Sequence, residues 1–142
     1  MRELRTQIEI QASPESVWGI LTDFARFAEW NPLMNLEGPV SEGAKLRLRL
    51  GSPGKKVMEL RPTVTRVIPN RELRWLGRLV LPGIFDGEHI FQIEPGTDGK
   101  VRFVHRENFS GILVPFFWKR LDSEVRKGFE DMNEALKARA EE

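Results

Sequence analysis

The side chains best suited to chemistry are His89, His105 and Glu107, which fall on the two strands of one predicted hairpin. Two imidazoles and a carboxylate on adjacent strands could orient the polar end of a ligand, or act together as general acid and base. They could also bind a metal, but two opposed residues give only two nitrogens and no clear third ligand, so we expect no metal site. A hydrogen-bonded polar cluster in a cavity wall accounts for the same residues without any chemistry.

The register of this hairpin decides whether the three side chains meet. Its loop is predicted at 95–99, where the sequence reads PGTDG. Because side chains alternate along a strand, residues two apart share a face. A pairing that starts at Ile93 and Val101 places both histidines and Glu107 on the inner face. The predicted pairs are Ile93 with Val101, Phe91 with Phe103, His89 with His105, and Gly87 with Glu107.

A pocket beside these residues would have mainly aromatic and aliphatic walls, as apolar ligand sites do. Trp75 belongs to the neighbouring strand and should face the same interior, although packing in the core explains a single tryptophan at least as well. The catalytic candidates are His89, His105 and Glu107. The residues expected to line the pocket are Trp75, His89, Phe91, Phe103, His105, Glu107, Phe117, Leu121 and Val125.

Periodicity predicts the elements that would carry these side chains. Residues 4–10 alternate between polar and apolar, as in a half-buried strand. Ser13, Pro14 and Glu15 are typical of a helix start, as N-cap, first helical position and first-turn acid. A second short helix is predicted at 23–29.

Residues 33–110 consist of alternating segments and turns, which predicts six further strands. One of them is a long strand at 56–68, in which Pro62 marks a bulge or a sheet edge. Turns are predicted at 51–54 and around Asn70. The register of the hairpin around Asn70 stays open, since either Val64 and Ile68 or Thr65 and Val67 could face the core.

The C-terminal part of the chain is helical by its spacing, with apolar residues recurring every three or four positions from about Val114 to Arg139. Such a helix would be roughly 39 Å long at 1.5 Å per residue. A strand, two short helices, six strands and a long helix predict an α+β fold rather than a βαβ fold. We expect an antiparallel sheet of about seven strands that wraps around the long helix.

Bulk composition excludes several classes of protein. A chain of 142 residues fits one domain, 1–142. The net charge of +1 argues against nucleic acid as a partner, because proteins that bind nucleic acid usually have an excess of basic residues. The absence of cysteine excludes disulfides and thiolate chemistry and agrees with a cytoplasmic location. There is no 18-residue apolar run and no signal-peptide pattern, so we expect no stable membrane insertion.

Two apolar segments and one basic stripe complete the candidate surfaces. Residues 79–85 and 112–118 are apolar and bounded by glycine or proline. They could form the mouth of a pocket, plug one end of the core, or meet a membrane or a second subunit, which leaves a homodimer open. Lys45, Arg47 and Arg49 alternate with leucines and should form the charged outer face of a sheet.

Several segments carry a resemblance to known proteins: IEIQASPESVW at 8–18, LTD at 21–23, WNP at 30–32, RELRW at 71–75, PGIFDGEH at 82–89, HRENFSG at 105–111 and GFEDMNEALK at 128–137. In these segments the chain resembles the START/polyketide-cyclase superfamily (SRPBCC, the helix-grip fold), and is similar to one bacterial branch of it. The resemblance covers nearly the whole chain and implies a cavity between the sheet and the long helix, open near the loops at one end. The superfamily includes lipid carriers, hormone receptors, aromatic cyclases, hydrolase-like proteins and co-chaperones, so one fold supports many sites.

Three functions fit these observations, and we rank them in order. The first is binding of an apolar or aromatic small molecule in the cavity, without a cofactor. The second is an enzyme of the cyclase or dehydratase kind, in which His89 or His105 is the general base and Glu107 its partner. The third is a protein-interaction module that uses the apolar loops.

Overall fold

A curved antiparallel sheet packs against one long C-terminal helix in the computed structural model, which describes residues 1–51, 57–79 and 81–142. The predicted α+β, helix-grip fold is therefore confirmed. The strands are β1 (Arg2–Ile10), β2 (Met34–Glu37), β3 (Arg47–Leu50), β4 (Met58–Leu60), β5 (Thr63–Ile68), β6 (Glu72–Arg78), β7 (Asp86–Pro95) and β8 (Val101–Ser110). The helices are α1 (Pro14–Thr22), two 3-10 elements (Phe24–Glu29 and Thr97–Gly99), α2 (Val114–Arg120), a π-helical turn (Leu121–Val125) and α3 (Arg126–Ala140).

The strands form two antiparallel sheets, one in the order β1-β8-β7-β6-β5 and one in the order β2-β3-β4. An isolated bridge between Lys45 and Thr63 joins the two. About seven strands were expected, and the described chain has eight because the predicted strand at 56–68 is two strands. Pro62 lacks the N–H that would continue the ladder, and its carbonyl instead accepts from Leu46 N at 2.8 Å. Lys56 and most of the turn predicted at 51–54 lie outside the described residues.

The hairpin of β7 and β8 has a different register from the predicted one. Phe91 pairs with His105, and His89 pairs with Glu107, so each partner is shifted by two positions. The reason is the turn: β7 continues to Pro95, and the loop closes with Gly96 N donating to Lys100 O at 2.8 Å. A shift of two residues leaves every side chain on its original face. Both histidines and Glu107 consequently remain inside.

The hairpin of β5 and β6 combines the two registers that the sequence left open. A bulge lies between Val64 and Arg66, so the alternation slips by one residue at Thr65. Val64 is buried opposite Trp75, and Val67 packs against the core opposite Leu73. Neither predicted alternative is right as a whole, because the bulge brings one residue from each to the inner face.

The C-terminal helix crosses the sheet as the sequence predicts, with buried residues at helical spacing on α3. Phe129, Met132, Asn133 and Leu136 are all at most 2% exposed, and α3 packs on β1 and α1. The N-terminal half contains the π-helical turn, a rare element that often occurs at functional sites. At the other end of the chain, Ser13 Oγ accepts from Ser16 N at 3.1 Å and caps α1 as predicted.

The basic stripe on the outer face is largely paired with carboxylates. Arg47, Arg49 and Arg61 surround Glu59, with Arg47 Nε at 3.0 Å from Glu59 Oε1. Arg74 lies on the outer face of β6, with its Nε at 2.8 Å from Glu72 Oε2. Exposed ion pairs contribute little stability. Their effect here is to offset part of the positive charge of the stripe.

Candidate functional site

A cavity of about 360 Å³ lies between the sheets and the N-terminal half of the long helix. Its floor is the inner face of β6, β7 and β8, and its roof is the π-helical turn and the start of α3. It extends from buried His89 to Met58 and Leu79, which are 47% and 43% exposed, so the mouth lies at that end. The apolar residues of the wall are Leu33, Leu48, Leu50, Met58, Leu60, Pro62, Trp75, Leu79, Phe85, Phe109, Leu121, Val125 and Phe129.

Five of the nine residues that the sequence singled out as pocket lining lie on this wall: Trp75, His89, Glu107, Leu121 and Val125. The other four lie elsewhere. Phe91, Phe103 and His105 are fully buried in the layer beneath, while Phe117 is 44% exposed and packs edge-on against Phe85. The three catalytic candidates stay together, with His89 and Glu107 at the cavity and His105 behind them.

Two glycines that sequence reasoning missed make room for the cavity. Gly77 and Gly87 pair across β6 and β7, and both lie on the wall. A Cβ on Gly87 would clash with Glu107 Oε2, whereas a Cβ on Gly77 would meet only ordinary contacts at 3.9 Å. Glycine inside a strand is a signal for close approach of another group, and it could have pointed to these positions.

The two histidines form a short contact inside an aromatic shell. His89 Nε2 lies 2.7 Å from His105 Nε2. The His105 ring stacks on Phe129, with ring centres 3.9 Å apart and planes at 12°. The His89 ring lies 5.0 Å from Trp75 and 4.8 Å from Phe91. This shell holds both rings in place, with His105 fully buried and His89 reaching the cavity wall.

The direction of every hydrogen bond in this cluster follows from one backbone carbonyl. Thr6 Oγ1 lies 2.8 Å from the His105 carbonyl, which can only accept, so the hydroxyl donates to it. The same Oγ1 then accepts from Asn133 Nδ2 at 2.9 Å. The other Asn133 amide atom is therefore the oxygen, and it accepts from His105 Nδ1 at 2.9 Å.

A neutral His105 that donates from Nδ1 must accept at Nε2, which fixes the tautomer of its neighbour. His89 donates from Nε2, and its Nδ1 carries a lone pair. That lone pair faces Glu107, whose Oε1 lies 3.5 Å away. The chain of hydrogen bonds thus starts at Thr6, deep under the helix, and ends with an acceptor beside the cavity.

Burial sets the protonation of the same three groups. Burial raises the pKa of Glu107 to about 8. Burial lowers the pKa of His105 to about 3, against the opposing effect of the hydrogen bond to Asn133. Burial, followed by the neighbouring His105, lowers the pKa of His89 well below its ordinary value. At pH 7 the cluster is a carboxylic acid beside two neutral imidazoles, which agrees with the hydrogen-bond directions.

The histidine pair is not arranged to hold a metal. A zinc ion bound between two imidazoles needs about 2.0–2.1 Å to each nitrogen, so the nitrogens would lie farther apart than the 2.7 Å seen here. Across residues 1–51, 57–79 and 81–142, no group of three or more His, Asp or Glu side chains is placed to hold a metal ion.

The apolar loops next to the cavity are joined to each other. Ile112 N donates to Gly83 O, and Leu113 N to Ile84 O, both at 3.1 Å. Leu81, Ile112 and Phe116 are 65%, 67% and 81% exposed. The predicted segment 79–85 includes Val80, which lies outside the described residues. Within the chain as described, no helix has both the length and the apolar character needed to cross a membrane.

The chain matches one protein-family model and shares its fold with solved structures. The model of the family described as polyketide cyclase / dehydrase and lipid transport matches residues 1–141. No curated protein matches the chain. Solved structures with the same fold include a START superfamily protein from Mycobacterium smegmatis, with a TM-score of 0.76 and 19% identity over 98% of this chain and 97% of that one.

Two further structures share the fold at similarly low identity. The Zhui aromatase/cyclase from Streptomyces sp. R1128 has a TM-score of 0.77 and 15% identity, over 99% of this chain and 93% of its own. Protein CV1439 from Chromobacterium violaceum has a TM-score of 0.76 and 16% identity, over 99% and 97%.

Proposed function

Because the chain belongs to the polyketide cyclase/dehydrase and lipid transport family, we propose that its cavity binds an apolar or aromatic small molecule whose one polar end meets Glu107 and His89. The cavity itself carries this proposal. Its volume of about 360 Å³ lies in the range of small-molecule sites, roughly 300–1,000 Å³. Its wall is apolar apart from His89 and Glu107 at the closed end and Glu124 near the mouth.

The layout of the wall supports a ligand with two chemically distinct parts. Burial of apolar ligand surface contributes roughly 25 cal/mol per Å², so the long apolar wall supplies most of the binding free energy. Glu107 and His89 are polar groups at the closed end, and they would orient the molecule. A few placed polar groups in an apolar pocket are typical of ligand sites.

Filling the cavity at Gly77 should weaken ligand binding and leave His89 and Glu107 unchanged. Gly77→Leu adds a side chain where a Cβ would meet only ordinary contacts at 3.9 Å, so the strand keeps its conformation and the cavity loses volume. We expect the affinity for the uncharged fluorescent probe N-phenyl-1-naphthylamine to fall by about tenfold or more, which is about 1.4 kcal/mol. Fluorescence titration measures the affinity.

The matched control is Gly19→Leu, the same substitution on the exposed side of α1, where a Cβ meets nothing within 4 Å. This variant should bind the probe as the wild type does. Equal binding by all three proteins, or a loss in both variants, would contradict a site in this cavity.

A cyclase or dehydratase activity is the second candidate, and one observation favours it. A carboxyl group with a raised pKa beside a neutral imidazole is a paired acid and base whose protonation states are set apart by burial. One structural neighbour is named an aromatase/cyclase. Both candidates predict that Glu107→Gln keeps its affinity for the ligand. Turnover separates them, because an enzyme that uses Glu107 as its acid converts the ligand in the wild type and loses this activity in the variant.

A further inference from the structure

The closed end of the cavity has one hydrogen-bond donor and one acceptor that do not satisfy each other. Glu107 Oε1 and His89 Nδ1 are 3.5 Å apart, whereas a hydrogen bond of this type is about 2.7–3.0 Å long. Among the described residues, neither Glu107 oxygen accepts or donates a side-chain hydrogen bond, and His89 bonds only through Nε2. Both groups lie on the wall of the cavity.

The surroundings of each group decide whether it donates or accepts a hydrogen bond. The chain from the His105 carbonyl through Thr6 and Asn133 requires His89 Nδ1 to accept. Burial raises the pKa of Glu107 to about 8, so at pH 7 the carboxyl group is protonated and offers one O–H and one carbonyl-type oxygen. Gly87 leaves the space in which this carboxyl group lies.

A single chemical group can form hydrogen bonds with both the Glu107 donor and the His89 Nδ1 acceptor. A hydroxyl oxygen placed between the two residues accepts from Glu107 and donates to His89 Nδ1. An ether or ketone oxygen accepts from Glu107 but leaves His89 Nδ1 unpaired in an apolar shell. A carboxylate would also face that lone pair, and within the described chain no Lys or Arg lies on the cavity wall to balance its charge.

We propose, on the basis of the proposed binding function, that the ligand of this cavity is an uncharged apolar alcohol or phenol whose hydroxyl group bridges Glu107 and His89. The hydroxyl would lie next to Trp75 and Phe129, whose rings flank His89. These rings favour a flat, ring-bearing body directly behind the hydroxyl group.

Three compounds with one ring system test this at pH 7 by calorimetric titration of the wild-type protein: 2-naphthol, 2-methoxynaphthalene and 2-naphthoic acid. Leaving a buried polar group unpaired is costly, so naphthol should bind about tenfold more tightly than its methyl ether. The acid should bind more weakly than either. Equal or tighter binding of the ether or the acid would overturn the proposal.

Two variants test which side chain causes the preference for naphthol over its methyl ether. Glu107→Gln keeps a donor and an acceptor, so it should keep the preference for naphthol over the ether. The double variant His89→Phe, His105→Phe removes the acceptor, and the two compounds should then bind within about threefold of each other. A naphthol preference that survives the double variant overturns the bridge, and thermal unfolding of each variant checks that it is folded.

The outcomes also separate this proposal from the broader one. If all three compounds bind, all are lost in Gly77→Leu, and naphthol has no advantage, then the cavity is a ligand site but the hydroxyl bridge is wrong. If no compound binds the wild type, or Gly77→Leu binds them unchanged, then the proposed function fails and the bridge fails with it.

Discussion

Relative to Glu107→Gln, the wild type should lose stability progressively between about pH 5 and pH 8. Burial raises the pKa of Glu107 from its ordinary value of 4.5 to about 8 in the folded protein. Between these values the folded state holds a proton that the unfolded state has lost, so stability falls as pH rises. Each pKa unit corresponds to about 1.4 kcal/mol, which gives roughly 3–5 kcal/mol by pH 8.

The histidines have the opposite dependence. The pKa of His105 is lowered to about 3, and that of His89 is lowered as well, so both stay neutral in the folded protein. Their contribution to stability is full above the unfolded value of about 6.5 and is lost as pH falls toward 3. The wild type should therefore be most stable near pH 6.5. In Glu107→Gln the alkaline side of this maximum should become flat up to pH 8.

Urea unfolding at half-unit steps from pH 5 to pH 8.5 measures both profiles. Glu124→Gln is the matched control, because Glu124 lies at the mouth of the same cavity with 63% of its side chain exposed. Its profile should follow the wild type. A Glu107→Gln curve that runs parallel to the wild type over this range would contradict a protonated Glu107.

The faces of the strands could be read from the sequence because they depend only on alternation. The β7–β8 register was two positions off, yet His89, His105 and Glu107 still lie inside, since side chains repeat with a period of two. In β5 the same rule failed at Thr65, where the bulge inserts one residue. Local pattern has no information on such an insertion, because the tertiary contacts of both strands decide it.

The depth of each residue could not be read from the sequence. Phe91 and Trp75 share a face, but only Trp75 reaches the cavity, because the path of the helix over the sheet decides where space is left. Asn133 and Thr6 are 127 residues apart and meet only in the folded chain. Asn133 appeared in the sequence as a polar residue within an apolar helical stripe, which was the one local sign of a buried partner.

Replacing His105 by phenylalanine should lower the free energy of unfolding by roughly 3 kcal/mol. The ring can keep its stacking on Phe129, so packing changes little. The loss comes from two buried groups that lose their partners, the N–H of His89 Nε2 and the oxygen of Asn133. An unpaired buried group costs about 1–3 kcal/mol.

His89→Phe should cost less, about 1–2 kcal/mol, since it leaves only the lone pair of His105 Nε2 without a partner. The double variant has neither of these unpaired nitrogens and retains only the unpaired oxygen of Asn133. Its cost should therefore be smaller than the sum of the two single costs by about 1–3 kcal/mol. Urea unfolding at pH 7 gives all four values, and additivity within about 0.5 kcal/mol would contradict a direct hydrogen bond between the rings.

Adding Asn133→Leu to the double variant should restore most of the lost stability. Thr6 keeps its bond to the His105 backbone carbonyl, and every other member of the chain is then apolar. Replacing all partners of a buried network by apolar groups of similar shape is often nearly neutral. We expect the triple variant to regain most of the lost stability, to within about 1 kcal/mol of the wild type. In that case the polar chain adds little to the stability of the fold, and what it does supply is the oriented lone pair of His89 beside Glu107.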